Sequence, residues 1–218
     1  MISMTQILVF GDSITYGAWD TKGGWVQRLR KFVDNKNLNE KNYYCIIYNL
    51  GISGDTTEWL LERFEKEIKS RLKELENEEK LVIIISMGSN DCAFDNEKNK
   101  TDVSDAKFNE NISKLIKIAK KFTSDLIFVG FNPVDESKVN PIPWNPSYSY
   151  INKDIQRFDS IVKKNCTDNE LDFISIFEKL TNENYNKLLS YDGVHPNNEG
   201  HKRIFEEVKK ILLEKKLI

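Results

Sequence analysis

Four short stretches of the chain are apolar at nearly every position: "ILVF" (7–10), "CIIYNL" (45–50), "LVIIIS" (81–86) and "LIFVG" (126–130). A fifth, "LDFISIF" (171–177), is weaker. Runs with no polar alternation suit strands covered on both faces, as in a parallel sheet. Between them the apolar positions change period. Leu60/Leu61, Phe64, Ile68 and Leu72 recur at helical spacing, as do Phe108, Ile112, Leu115/Ile116 and Ala119, and near the end Ile204, Val208 and Ile211. Strands alternating with amphipathic helices predict an α/β fold, a three-layer α/β/α sandwich in one domain over 1–218. Its centre is expected to be a mostly parallel, flavodoxin-like five-stranded sheet of order 2-1-3-4-5.

That order has a consequence for chemistry. Open parallel sheets bind ligands beyond the carboxyl ends of their strands, where strand order reverses. With strand 1 between strands 2 and 3, the segments "GDSITYG" (11–17), "GISGDTT" (51–57) and "MGSNDC" (87–92) become neighbours. Ser13 then stands at the centre of the crevice, between Gly51 and Asn90. One connection is unusually long: "FNPVDESKVNPIPWNPSYSY" (131–150) holds four of the five prolines. A loop of that length in a compact domain is more often functional than decorative.

Bulk composition narrows the partners. The 218 residues carry 32 Lys and Arg against 34 Asp and Glu, a formal charge of −2, so nothing marks a binder of nucleic acid or anionic membrane. The lysines lie among glutamates and read as a solvated face. Cys45, Cys92 and Cys166 have no CxxC spacing, which argues against a disulfide framework or a zinc site and for a reducing compartment. No stretch is long enough to span a bilayer, and the start lacks the basic region of a signal peptide. A cytoplasmic protein acting on a small molecule is the expectation.

A serine nucleophile needs a base, a group to orient that base, and donors for an oxyanion. With two histidines in the chain the search for a base is short. His195 lies in "YDGVHPNNEGH", three residues after Asp192 and just before Pro196, which favours extended or turn geometry at His195. Asp192 is near enough to accept from the ring's Nδ1–H. His201 precedes Ile204, Val208 and Ile211 at helical spacing, so a place in the core explains it. The two histidines are six positions apart with no cysteine to complete a ligand set, so neither metal nor cofactor is expected. Asp12 and Asp91 read as braces for their own turns, and Asp55, ahead of "TT", as a helix N-cap.

"FGDSITYG", "NLGISGDTT", "GSND" and "DGVHPN" together resemble the four sequence blocks of the SGNH hydrolases, the GDSL esterase/lipase superfamily. They occur in the right order through nearly the whole chain. The first reads GDSIT where the name-giving form is GDSL, a conservative change that touches no catalytic group. The resemblance implies a serine hydrolase working through an acyl-enzyme, with Ser13 as nucleophile, His195 as general base and Asp192 as its orienter. It also implies an oxyanion hole from the backbone N–H of Ser13, that of Gly51 and the side-chain amide of Asn90.

Rival readings lack their motifs: there is no GxSxG elbow, GxxxxGK[ST] loop or GxGxxG turn. A non-catalytic binding protein on the same fold would lack a nucleophile or base, and neither is missing. The catalytic blocks do not distinguish acetyl groups on sugars from long-chain lipid esters or thioesters. Pocket walls are expected from Tyr16, Trp19, Cys92 with the segment after it, and Trp144, and aromatic walls suit a sugar face or an acyl chain. The missing signal sequence and low hydrophobicity favour a short-chain ester, an O-acetylated sugar among them, over a lysophospholipid or a long-chain thioester.

Overall fold

The computed structural model of the chain describes residues 4–72, 80–182 and 184–218. The elements, in order, are strand β1 (Met4–Gly11), helices α1 (Ser13–Tyr16) and α2 (Gly24–Asn39), β2 (Tyr44–Gly51), α3 (Thr57–Arg71) and β3 (Lys80–Ser86). Next come the short strands β4 (Phe94–Asp95) and β5 (Lys100–Thr101), α4 (Asp105–Ala119), β6 (Asp125–Val129), α5 (Glu136–Val139) and β7 (Tyr148–Ser149). The chain continues through α6 (Asn152–Asp168), β8 (Asp172–Ile174), α7 (Ile176–Thr181), a 3-10 turn (Tyr185–Leu188) and α8 (Asn198–Glu214).

Five strands form a parallel sheet of order β2-β1-β3-β6-β8, which is the expected order 2-1-3-4-5. Alternation along each strand divides the core in two. Leu8 and Phe10, Ile83 and Ile85, and Leu126 and Phe128 face a layer that includes Leu60, Phe64 and Ile68 of α3, Phe108 of α4 and Phe158 of α6. Ile7 and Val9, Val82 and Ile84, and Ile127 and Val129 face the other way, toward Trp25 and Leu29 of α2 and Ile204, Val208 and Leu212 of α8. Burial of both faces is the physical reason these strands carry no polar alternation.

Two expectations need adjustment. Strand β8 takes only Asp172–Ile174 from the run 171–177, and the remainder opens α7. The N-cap of α3 is Thr56, whose hydroxyl accepts from the Trp59 amide, not Asp55. Asp55 instead binds the Arg63 guanidinium at 2.7 Å, and Arg63 also donates to the Leu50 carbonyl. The proline-rich loop is not structureless. It contains α5 and β7, and β7 joins β4 and β5 in a small antiparallel sheet of order β5-β4-β7.

The register sets the site. Gly11 pairs with Gly51 on β2 and with Ser86 on β3, so three strands end level with one another. The loops that follow them emerge side by side.

Candidate active site

At the end of β1 the backbone must turn within a crowded space. A Cβ on Gly11 would lie 2.0 Å from Thr15 Oγ1 and 2.5 Å from the Ser86 carbonyl oxygen, so only glycine fits. Asp12 caps the single turn of α1 by accepting from the Ile14 amide at 2.9 Å. Ser13 is thereby presented at the first position of that turn, above the carboxyl end of the sheet.

From the other end of the chain comes the segment 190–197. Asp192 Oδ1 accepts from the amides of Val194 and His195, closing a tight turn through Gly193 at φ 76°. Its Oδ2 lies 2.7 Å from His195 Nδ1. The carboxylate accepts, so Nδ1 carries the proton and Nε2 presents its lone pair. Nε2 lies 2.8 Å from Ser13 Oγ. Burial acts to raise the Asp192 carboxyl, but hydrogen bonds from His195 and Val194 outweigh it and hold the group below the usual carboxylate range. The loop 131–150 braces this turn: Asn132 Nδ2 donates to the Val194 carbonyl and the Asp135 amide to that of Gly193.

The loops after β2 and β3 are fastened across the same crevice. Asn90 Nδ2 donates to the Asp55 carbonyl at 2.8 Å, and its Oδ1 accepts from the Tyr150 hydroxyl at 3.0 Å. Asp91 accepts from the amide and hydroxyl of Thr57, and Asn111 donates to that same hydroxyl. Burial pushes the carboxyls of Asp12 and Asp91 up to about 6 despite these bonds. Asp12 braces its own turn, whereas Asp91 ties the loop after β3 to the first turn of α3.

Together these groups enclose a crevice of about 170 Å³ whose wall includes Ser13, Gly54, Asn90, Trp144, Tyr150 and His195. Four expected residues stand elsewhere. The Gly51 N–H donates to Asn49 Oδ1 at 3.0 Å, and the glycine itself backs the α1 turn, where a Cβ would lie 2.3 Å from the Tyr16 nitrogen. Gly54, three residues on, lines the crevice instead, at φ 80° and with open space where a Cβ would stand. Cys92 is fully buried and gives its thiol to the Ser89 carbonyl, so it fills the core beneath the loop. Tyr16 is exposed outside the crevice. Trp19 also lies outside that wall, but its ring meets the His195 imidazole edge-on at a centroid distance of 5.7 Å. Its φ is 63°, a left-handed backbone unusual for so large a residue.

Gly54 and Tyr150 were not singled out in the sequence. The block "GISGDTT" contains two glycines with nothing local to rank them; the positive φ of Gly54 ranks them in three dimensions.

A family model, the GDSL-like lipase/acylhydrolases, matches residues 7–208. The chain belongs to that family. Solved structures similar to this GDSL-like acylhydrolase include a lipase/acylhydrolase from Enterococcus faecalis, at 20% identity and TM-score 0.74, with 96% of each chain covered. Another is a single-substitution variant of Axe2, an acetyl xylan esterase from Geobacillus stearothermophilus, at 18% identity and TM-score 0.71 with 96% of each chain covered. A third is TesA, at 20% identity and TM-score 0.70, covering 98% of this chain and 99% of that one. At these identities the likeness is one of fold. No curated protein matches the chain in sequence. Among the described residues, no helix of this GDSL-like acylhydrolase is long and apolar enough to cross a membrane.

Proposed function

We propose that this GDSL-like acylhydrolase cleaves carboxylic esters of short acyl groups through an acyl-enzyme on Ser13. The observation that carries the reading is the continuous chain Asp192–His195–Ser13, with contacts of 2.7 and 2.8 Å. Ser13 Oγ attacks the ester carbonyl carbon while its proton passes to His195 Nε2. The carbonyl π pair moves onto oxygen, and the resulting oxyanion is met by the N–H groups of Ser13 and Gly54 and by Asn90 Nδ2. Asn90 has two N–H groups, and the Asp55 carbonyl uses one. Collapse of the tetrahedral adduct expels the alcohol, which leaves with the proton from Nε2. Water then repeats the sequence on the acyl-enzyme, releasing the acid and restoring Ser13. Asp192 keeps the imidazole in the tautomer that can accept and stabilises the imidazolium between the two transfers.

Crevice size supports a short acyl group. About 170 Å³ lies below the roughly 300–1,000 Å³ of sites that enclose drug-sized ligands. The acetyl xylan esterases among the structural relatives point the same way. A panel of p-nitrophenyl esters from about two to sixteen acyl carbons tests the reading. The expected kcat/KM is highest at the two- to four-carbon end and falls steeply thereafter. A maximum at eight carbons or more would replace it with a long-chain acylhydrolase.

A further inference from the structure

Beside the crevice, and continuous with it, runs a second and larger depression of about 370 Å³. Gly54, Asn90, Trp144 and Tyr150 belong to both. Whatever enters it is therefore attached to, or close to, the group at Ser13. Two tryptophans line it from separate elements, Trp59 in the first turn of α3 and Trp144 in the loop 131–150. They are 59% and 58% exposed, although an indole gains more by burial than almost any other side chain. Exposed aromatic surface rimmed by polar groups marks a binding groove rather than a core.

The rim identifies the occupant. Glu58, Asp102 and Asn145 line the groove, and no Lys or Arg does so among the described residues. Lys107 Nζ stands 3.9 Å from Glu58 but does not line the groove. The groove therefore presents carboxylate oxygens and no cation to a phosphate or another anionic headgroup, which disfavours a lysophospholipid. An acyl chain laid along this open groove would cover the polar acceptors and leave them without hydrogen bonds. A neutral sugar ring satisfies both requirements. Its axial C–H face meets the electron-rich face of an indole, and its hydroxyls donate to carboxylate and amide oxygens. We infer that the Trp59–Trp144 groove is a subsite for the neutral glycosyl part of an O-acylated oligosaccharide, placed so that the sugar lies there while its ester reaches Ser13. This assignment rests on the ester-hydrolase reading for the position of the acyl group, and on the groove alone for the sugar.

The test separates the two. Calorimetric titration of the Ser13→Ala protein with xylotetraose, cellotetraose and chitotetraose measures sugar binding without turnover. At least one of these is expected to bind saturably. Trp59→Ala in the same background should weaken it at least about tenfold, and Trp59→Tyr, which keeps an aromatic face, should recover most of the affinity. The inference is overturned if none of the three binds, if Trp59→Ala binds as well as its parent, or if decanoate displaces the sugar. Hydrolysis of p-nitrophenyl acetate by the unaltered protein is read independently. Hydrolysis without sugar binding removes the subsite and keeps the esterase, and sugar binding without hydrolysis does the reverse.

Discussion

Asn90 and Tyr150 hold one another: the Tyr150 hydroxyl donates to Asn90 Oδ1 at 3.0 Å, while Nδ2 of the same amide is turned to the Asp55 carbonyl. The amide plane is fixed at both ends, so the direction of its second N–H is set before substrate arrives. Such preorganisation makes an oxyanion donor effective in the transition state. Asn90→Ala is expected to lower kcat by about 10²–10³-fold with little change in KM. Steady-state kinetics on p-nitrophenyl acetate measures it. A raised KM with kcat intact would make Asn90 a ground-state binding residue.

Tyr150→Phe removes only the hydroxyl that orients this amide. Its loss should therefore be smaller, on the order of tenfold in kcat, and Tyr150→Phe added to Asn90→Ala should cost nothing further in the same assay. Additive losses would give Tyr150 a contact of its own with substrate.

The two glycines of "GISGDTT" should lose stability to alanine for different reasons. At Gly51 the added methyl meets the backbone nitrogen of Tyr16 at 2.3 Å, so the end of β2 must move away from α1. Thermal unfolding should show a loss of several degrees, roughly 1–3 kcal/mol as for overpacking in a core. At Gly54 there is space, and the strain is that of a left-handed backbone, about 1–2 kcal/mol. A Gly51→Ala protein as stable as its parent would contradict this packing.

These glycines also mark how far the sequence could be read. Uninterrupted apolar runs identify strands buried on both faces, and alternation of strand and helix carries a parallel sheet, because parallel neighbours need crossovers. The order of the strands does not follow from that pattern, since other doubly wound sheets share it. Ser13, Asp192 and His195 could be singled out because few residue types perform their chemistry and the chain has only two histidines. Gly54 could not be preferred over Gly51, because backbone φ is decided by how the β2–α3 loop crosses to Asn90. Cys92 follows the site block directly in sequence, yet its side chain turns down into the core, a matter of one peptide's orientation. Strand β7 pairs with β4 over two residues, too few for any periodicity to appear.

Two buried groups off the crevice tilt stability with pH in opposite senses. Burial lowers the His201 imidazole to about 4; its Nε2–H reaches the Ala18 carbonyl at 3.4 Å and its Nδ1 has no partner among the described residues. The neutral ring is favoured in the folded state, so its contribution is present above pH ~6.5 and lost as pH falls toward 4. In His201→Asn the drop in melting temperature between pH 7 and pH 4.5 should be smaller, whatever the substitution does at pH 7. An unchanged drop would place the acid sensitivity elsewhere.

Asp159 behaves in reverse. Burial raises its carboxyl to about 7, while Oδ1 accepts from the Phe131 amide. The protonated form is favoured in the folded state, so its contribution is present below pH ~3.9 and lost as pH rises through 7. Asp159→Asn keeps the acceptor and removes the charge. It should raise the melting temperature at pH 8 more than at pH 5, and an equal effect at both would show that Asp159 does not titrate in this range.

Covalent labelling tests the nucleophile itself. A fluorophosphonate transfers its phosphonyl group to an activated serine oxygen and releases fluoride, so peptide mass mapping reads the reactive residue without assuming a substrate. The expected result is one stoichiometric adduct on Ser13, no adduct in Ser13→Ala, and labelling slowed by orders of magnitude in His195→Ala, where nothing accepts the serine proton. An unlabelled protein, an adduct on another residue, or His195→Ala labelling at the parent rate would contradict a Ser13–His195–Asp192 esterase.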